Sequence, residues 1–168
     1  MAQLDSLDRK VGSFSLNAGI RKQEISHIVQ GLMIALASNY TLSLKTQGCH
    51  WNVVGPHFYA LHKLFEEQYD DLAVASDDLA ERIRTLGSMV PARHADFVKL
   101  TRLQEASYDQ PIRALLQELV SDHESMAAFY KELFILAEHA HDQATADLLA
   151  QRMAVHEKTV WMLRATLG

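Results

Sequence analysis

Residues 48 to 87 read GCHWNVVGPHFYALHKLFEEQYDDLAVASDDLAERIRTLG. Val53, Val54, Gly55 and Pro56 are a turn signal, and Pro56 suits a first helical position, where its missing N–H costs nothing. From about His57 to Leu86 the composition is helical, and Gly87 is a C-cap signal. A helix turns by about 100° per residue, so with His62 at zero, Glu66 lies at about 40°, Asp77 at about 60° and Glu81 at about 100°. All four residues share one face. His62 and Glu66 are neighbours at i, i+4, as are Asp77 and Glu81.

Working outward, residues 1–20 show no sustained helical stripe and contain Gly12 and Gly19, so they are expected to form a flexible N-terminal arm. From Arg21 to about Cys49, Ile25, Ile28, Val29, Leu32, Met33 and Leu36 recur at the spacing of a buried helical stripe. After Gly87 comes a long connection over residues 88–108, with a short helix expected around Ala95–Asp96–Phe97–Val98. A third helix is expected from about Asp109–Pro111 to His139, and a fourth from about Gln143 to Leu167. The expectation is an all-α chain, with residues 21–168 forming a four-helix bundle whose one long crossover carries a short helix. Ferritin-like folds have that layout.

Composition supports this reading. A length of 168 residues suits one domain and buries a core without disulfides or a structural metal. Hydrophobic residues make up 48%, with only seven Gly and three Pro, which favours helix. No apolar run approaches the length of a membrane span. The opening MAQLDSLDRK carries Asp5 and Asp8 and no apolar segment, so neither a signal nor a transit peptide is expected. The single cysteine, Cys49, excludes an intrachain disulfide and suits a reducing cytosol, so a cytoplasmic protein is expected. A net charge of −5 argues against a generally nucleic-acid-binding surface.

The face on the second helix poses a geometric problem. Fifteen residues separate His62 from Asp77, or about 22 Å along the axis, too far for one metal ion. Two copies of the helix crossing antiparallel about a two-fold axis would bring His62 and Glu66 of one chain opposite Asp77 and Glu81 of the other. His50, before the turn, could complete the histidine side. Two imidazoles and three carboxylates suit Fe(II), Zn(II) or Mn(II) better than Cu(I) or Ca(II), and the sharp reading is an intersubunit iron-oxidation site. The same i, i+4 charge spacing is also that of a solvated helix face.

HWNVVGPHFYALHKLFEEQY followed by DDLAERIRTLG resembles the signature of the Dps family, the mini-ferritins known as DNA-binding proteins from starved cells. The matching elements are His50–Trp51–Asn52–Val53, Gly55, Phe58, Leu61–His62, Glu66, Asp77 and Ala80–Glu81–Arg82, and the likeness extends to HEKTVWMLRA near the C-terminus. The resemblance implies a homo-dodecamer built from two-fold dimers and enclosing a cavity. It implies that Fe(II) is oxidised at the dimer interface, by hydrogen peroxide in preference to O2, and that ferric iron is stored inside. Residue by residue, it implies that His50, His62 and Glu66 come from one subunit and Asp77 and Glu81 from its mate. Glu66 stands where many members carry Asp, which keeps the ligand type and leaves metal distance and affinity in question.

Other residues carry alternatives. Trp51 is either core packing or a redox relay beside the iron. Asp142 and Asp147 open the fourth helix, where an N-cap and a first-turn acid are favourable anyway; by resemblance they line three-fold iron-entry pores. Glu24–His27 and Glu138–His141 match the Glu-x-x-His spacing of intrachain di-iron bundles but fall near helix ends, where surface or capping roles are expected. His57, His94, His123, His139 and His156 are read as structural or exposed, and Cys49 as a partly buried small residue. DNA is a weakly supported partner. Residues 1–22 hold Arg9, Lys10, Arg21 and Lys22 against Asp5 and Asp8, and twelve copies at −5 each would carry roughly −60, although twelve arms could add up by avidity. The rival within the family is a nucleoid-compacting, DNA-protecting protein with secondary ferroxidase activity.

Overall fold

The computed structural model describes residues 19–168 and folds them into five α-helices, with no strand among the described residues. They are α1 (Lys22–Asn52), α2 (Phe58–Thr85), α3 (His94–Leu100), α4 (Ile112–His139) and α5 (Gln143–Leu167). The four long helices and the short α3 within the crossover match the expected all-α, ferritin-like layout. The arm expected over residues 1–20 lies almost entirely outside the described residues.

Each terminus has a local chemical cause. Glu24 fastens the start of α1: its carboxylate accepts from the Arg21 backbone N–H and pairs with the Arg21 guanidinium. The first helix runs three residues beyond Cys49. There the Asn52 side chain donates to the Gly48 carbonyl at 2.8 Å, and the Val53 N–H closes the turn onto Cys49 at 2.9 Å. Gly87 ends α2 in the left-handed region at φ 86°, where glycine carries no Cβ penalty. Pro111 stands as the N-cap of α4. His141 turns the chain between α4 and α5 at φ 56°, and Asp142 caps α5 by accepting from the Thr145 N–H at 3.1 Å.

The core gathers from all four long helices. Ile28, Val29, Leu32, Met33 and Leu36 are buried as the stripe on α1 requires, against Phe65, Leu72 and Leu79 of α2 and Leu119, Met126 and Tyr130 of α4. Helix α1 pairs with α2 and α4 with α5, while α2 and α5 barely touch and leave a groove between them.

The crossover is fastened onto α1. Phe97 of α3 packs against Tyr40 with ring centroids 4.9 Å apart, and the Arg102 N–H donates to Ser38 at 2.9 Å. Tyr108 donates to the Lys45 carbonyl at 3.1 Å over Gly48, where a Cβ would lie 2.1 Å from the Tyr108 hydroxyl. Only glycine admits that ring.

Two buried polar groupings hold the helices in register. The Lys45 ammonium, 2% exposed, bridges Glu118 at 2.8 Å and Asp122 at 2.6 Å, tying α1 to α4. Burial opposes its charge, but the two carboxylates outweigh that and raise its pKa. In the second grouping, His123 of α4 and His156 of α5 meet Nδ1 to Nδ1 at 2.8 Å. One ring must donate and the other accept, so at least one Nδ1 is unprotonated. Burial pushes the His123 pKa down to about 3 and that of His156 well below its ordinary value, and Arg152 lowers both further.

Two outcomes are expected. Lys45→Met strands two partly buried carboxylates and should destabilise the fold by roughly 3 kcal/mol, read as a lower denaturation midpoint. The two buried histidines stay neutral when folded but take protons at about pH 6.5 when unfolded, so their contribution is lost as pH falls below about 6.5. In His123→Leu/His156→Leu, the denaturation midpoint should fall less steeply between about pH 6 and 4 than in the parent. An unchanged slope would assign acid sensitivity elsewhere.

Candidate metal centre

The turn between α1 and α2 brings His50, in the last turn of α1, against His62, in the second turn of α2. Gly55 makes this turn possible at φ 101°. The two imidazoles stack with centroids 3.7 Å apart and planes 18° apart. Phe58 stacks on the other side of His62 at 5.0 Å, and Tyr69 meets His50 edge-on at 5.2 Å. Four rings thus brace one another across the helix pair.

The backbone then sets the proton positions. His50 Nδ1 lies 2.8 Å from the His62 carbonyl, and His62 Nδ1 lies 2.9 Å from the His50 carbonyl. A carbonyl only accepts, so each Nδ1 must carry hydrogen and donate. In the neutral rings, each Nε2 is then a lone pair. This is the arrangement in which a metal-binding histidine is oriented by its other nitrogen.

Glu66 stands one turn beyond His62 and is half-buried. A hydrogen bond from the Lys63 ammonium holds its carboxyl below the usual range, and both histidines add to that effect. The carboxylate is therefore ionised over the neutral range. Lys63 escaped the sequence reading, although its i, i+3 spacing to Glu66 was a signal for it. The bracing rings of Phe58 and Tyr69 were visible only once two helices were placed together.

Asp77 and Glu81 are exposed on the same helix, and among the described residues no hydrogen bond or ion pair engages either carboxylate. The single chain thus brings His50 and His62 into contact, with Glu66 within electrostatic reach, and leaves Asp77 and Glu81 remote. Among the described residues, no three His, Cys, Asp or Glu side chains of one chain converge on a position that could hold a metal ion. Each chain presents two separated fragments of a donor set.

Trp51 does not pack into this chain's core: it is 63% exposed beside His50. Val54, Phe58 and Tyr59 are exposed around it, Tyr59 by 75%, so an apolar rim flanks the histidine pair. Asp142 is buried, and its carboxylate is occupied by the Thr145 N–H, the Thr145 hydroxyl and the Arg82 guanidinium, the last at 2.6 Å. Asp147 is exposed and lines a shallow groove with Asp78, Glu81 and Arg82. His27, Glu138 and His141 are exposed and Glu24 is held by Arg21, so neither Glu-x-x-His pair forms an intrachain centre. His57, His94 and His139 are exposed as well. Cys49 is fully buried, and burial raises its thiol pKa to about 12.

Comparison with known proteins agrees with this fold. The ferritin-like domain family matches residues 29–168. DNA protection during starvation protein 2 of Bacillus anthracis is 33% identical over 141 residues, covering 84% of this chain and 97% of that protein. The DNA protection during starvation protein of Brevibacillus brevis is 34% identical over 147 residues, covering 87% and 99%. The chain is a Dps-family mini-ferritin. The crystal structure of the Dps protein from Vibrio cholerae O1, described as a member of a broad superfamily of ferritin-like diiron-carboxylate proteins, superposes with a TM-score of 0.87 at 29% identity. The match covers 94% of this Dps chain and 99% of that one.

The histidine geometry makes a direct prediction. Long-range proton–nitrogen correlations on metal-free protein, at a pH where the rings are neutral, should show both His50 and His62 as Nδ1–H tautomers. An Nε2–H tautomer at either ring would remove the lone pair this geometry offers.

Proposed function

We propose that this Dps protein is a ferroxidase. It takes Fe(II) as substrate at sites shared across a two-fold axis, oxidises it preferably with hydrogen peroxide, and stores ferric iron inside a dodecameric shell. One observation carries the reading. Two imidazoles are locked with Nε2 free beside an ionised Glu66, while Asp77 and Glu81 stand unengaged about 22 and about 28 Å from His62 along the same rigid helix. An antiparallel partner helix joins the two fragments, and two-fold symmetry makes two such sites per dimer. The exposed rim of Trp51, Val54, Phe58 and Tyr59 supplies apolar surface for that partner.

The residues divide the work. His50 and His62 give borderline nitrogen donors that suit Fe(II), and the carboxylates of Glu66, Asp77 and Glu81 favour the ferric product. Two Fe(II) ions give up one electron each, and peroxide takes both electrons and two protons to become two waters. Paired delivery avoids the one-electron cleavage that would release hydroxyl radical. DNA is thereby protected by chemistry, without requiring a basic surface. Trp51, exposed next to His50, is placed to serve as a one-electron relay. At the groove near the start of α5, Asp147, which among the described residues accepts only from the neutral Gln151 amide, joins Asp78 and Glu81 as negative charge to attract entering cations, since Asp142 is neutralised by Arg82.

Subunit mixing tests the shared site. Asp77→Asn alone and His62→Ala alone should each collapse the rate of ferric absorbance with limiting peroxide. Unfolding the two variants, mixing them equally and reassembling them should restore activity, because each mixed dimer regains one intact site of two. Random pairing then gives about a quarter of the parental rate. Activity no higher in the mixture than in either variant would defeat the intersubunit assignment.

A further inference from the structure

The middle of the bundle contains a second constellation that the iron site does not use. Every long helix contributes to it: Asn39 from α1, Gln68 from α2, His123 and Tyr130 from α4, and Arg152 and His156 from α5. His156 lies between His123 and Tyr130, with ring centroids 4.9 and 5.3 Å away. Gln68, His123 and Arg152 line one cavity of about 190 Å³ at the floor of the groove between α2 and α5.

These side chains are enclosed but incompletely bonded. No protein group among the described residues lies within hydrogen-bonding reach of His123 Nε2, His156 Nε2, Tyr130 Oη, Arg152 Nε, Asn39 Oδ1 or either amide atom of Gln68. Folded proteins leave few buried polar atoms without a partner, and a group of them calls for a bound species that supplies the bonds.

The chemistry of the atoms selects that species. Arg152 Nε and the Gln68 nitrogen are donors, while Asn39 Oδ1 and the Gln68 oxygen are acceptors. With both rings neutral, the contact between the two Nδ1 atoms makes one histidine Nε2 a donor and the other an acceptor. The nearest charges already neutralise each other, Arg152 Nη2 donating to Asp71 at 2.7 Å and Nη1 at 3.3 Å. A divalent cation would meet the charges of Arg152 and Lys158 in the same lining. An anion would meet Asp71 and Glu67, so the two acidic and two basic side chains of the lining balance. The fitting guest is small, neutral, and both donor and acceptor.

We propose that this layer is a built water site. Ordered water enters between α2 and α5 and bridges Gln68, His123 and Arg152. At about 30 Å³ per molecule, the cavity holds about six waters. Four-helix carboxylate proteins of the conventional kind build their di-iron centre in the bundle core. Here the corresponding layer is committed to water.

A crystal structure of the full-length protein at a resolution that shows solvent, from a crystal soaked in Zn(II) and measured at the zinc edge, tests this. The expected result is water density within about 3.2 Å of the Gln68 amide, His123 Nε2 and Arg152 Nε, with no anomalous peak in the layer. A dry layer, with Gln68 turned to bond directly to His123, overturns the proposal, and so does zinc at His123 or His156. Gln68→Leu, solved in the same way, should lose the waters on the amide and keep those on His123 and Arg152. Collapse of the whole cavity around the substituted apolar side chain would overturn the proposal as well. The iron assignment stands or falls separately, on the subunit mixture.

Discussion

A helix rises about 1.5 Å per residue and does not bend back on itself, so groups fifteen residues apart on α2 cannot share an ion. That rigidity governs the rest of the structure. It keeps the His62 and Asp77 ends of the helix apart within one chain. Rigid helices need rigid joints, and here the joints are polar: Lys45 with Glu118 and Asp122, Arg82 with Asp142, Arg152 with Asp71.

The histidine pair shows how a short turn sets chemistry. Residues 53–57 return the chain so that the last turn of α1 faces the second turn of α2. Each ring then finds the other residue's carbonyl, and each Nδ1 is committed to donating. Phe58 and Tyr69 close the stack from either side. The free nitrogens are thus selected by backbone geometry and held by packing. Lys63 plays the equivalent part for Glu66 by favouring its ionised form.

The middle of the bundle contrasts with this. Carboxylates mark the candidate iron fragments, whereas the bundle centre is built from neutral polar side chains plus one internally neutralised ion pair. The same fold therefore contains two polar regions of different charge. Placement of charge, more than placement of histidine, separates them: the chain has imidazole pairs in both.

Much of this was legible in the order of residues. Hydrophobic spacing over Ile25 to Leu36 placed α1, and Gly87, Pro111 and Asp142 marked helix ends, because caps and breakers act locally. The shared face of His62, Glu66, Asp77 and Glu81 followed from helical pitch alone. Other features required the fold. His123 and His156 are 33 residues apart and read as unremarkable until α4 and α5 pack together. Trp51 is apolar, and only the placed helices show it directed away from the core. Asp142 read equally as a cap or a pore acid, and the approach of Arg82 across 60 residues decided that its carboxylate is engaged. The division has one physical reason. Pitch, capping and turn preference depend on neighbours within a few residues, so the sequence contains them. Burial, tautomer and ion pairing depend on which helices meet, and that is a property of the packed chain.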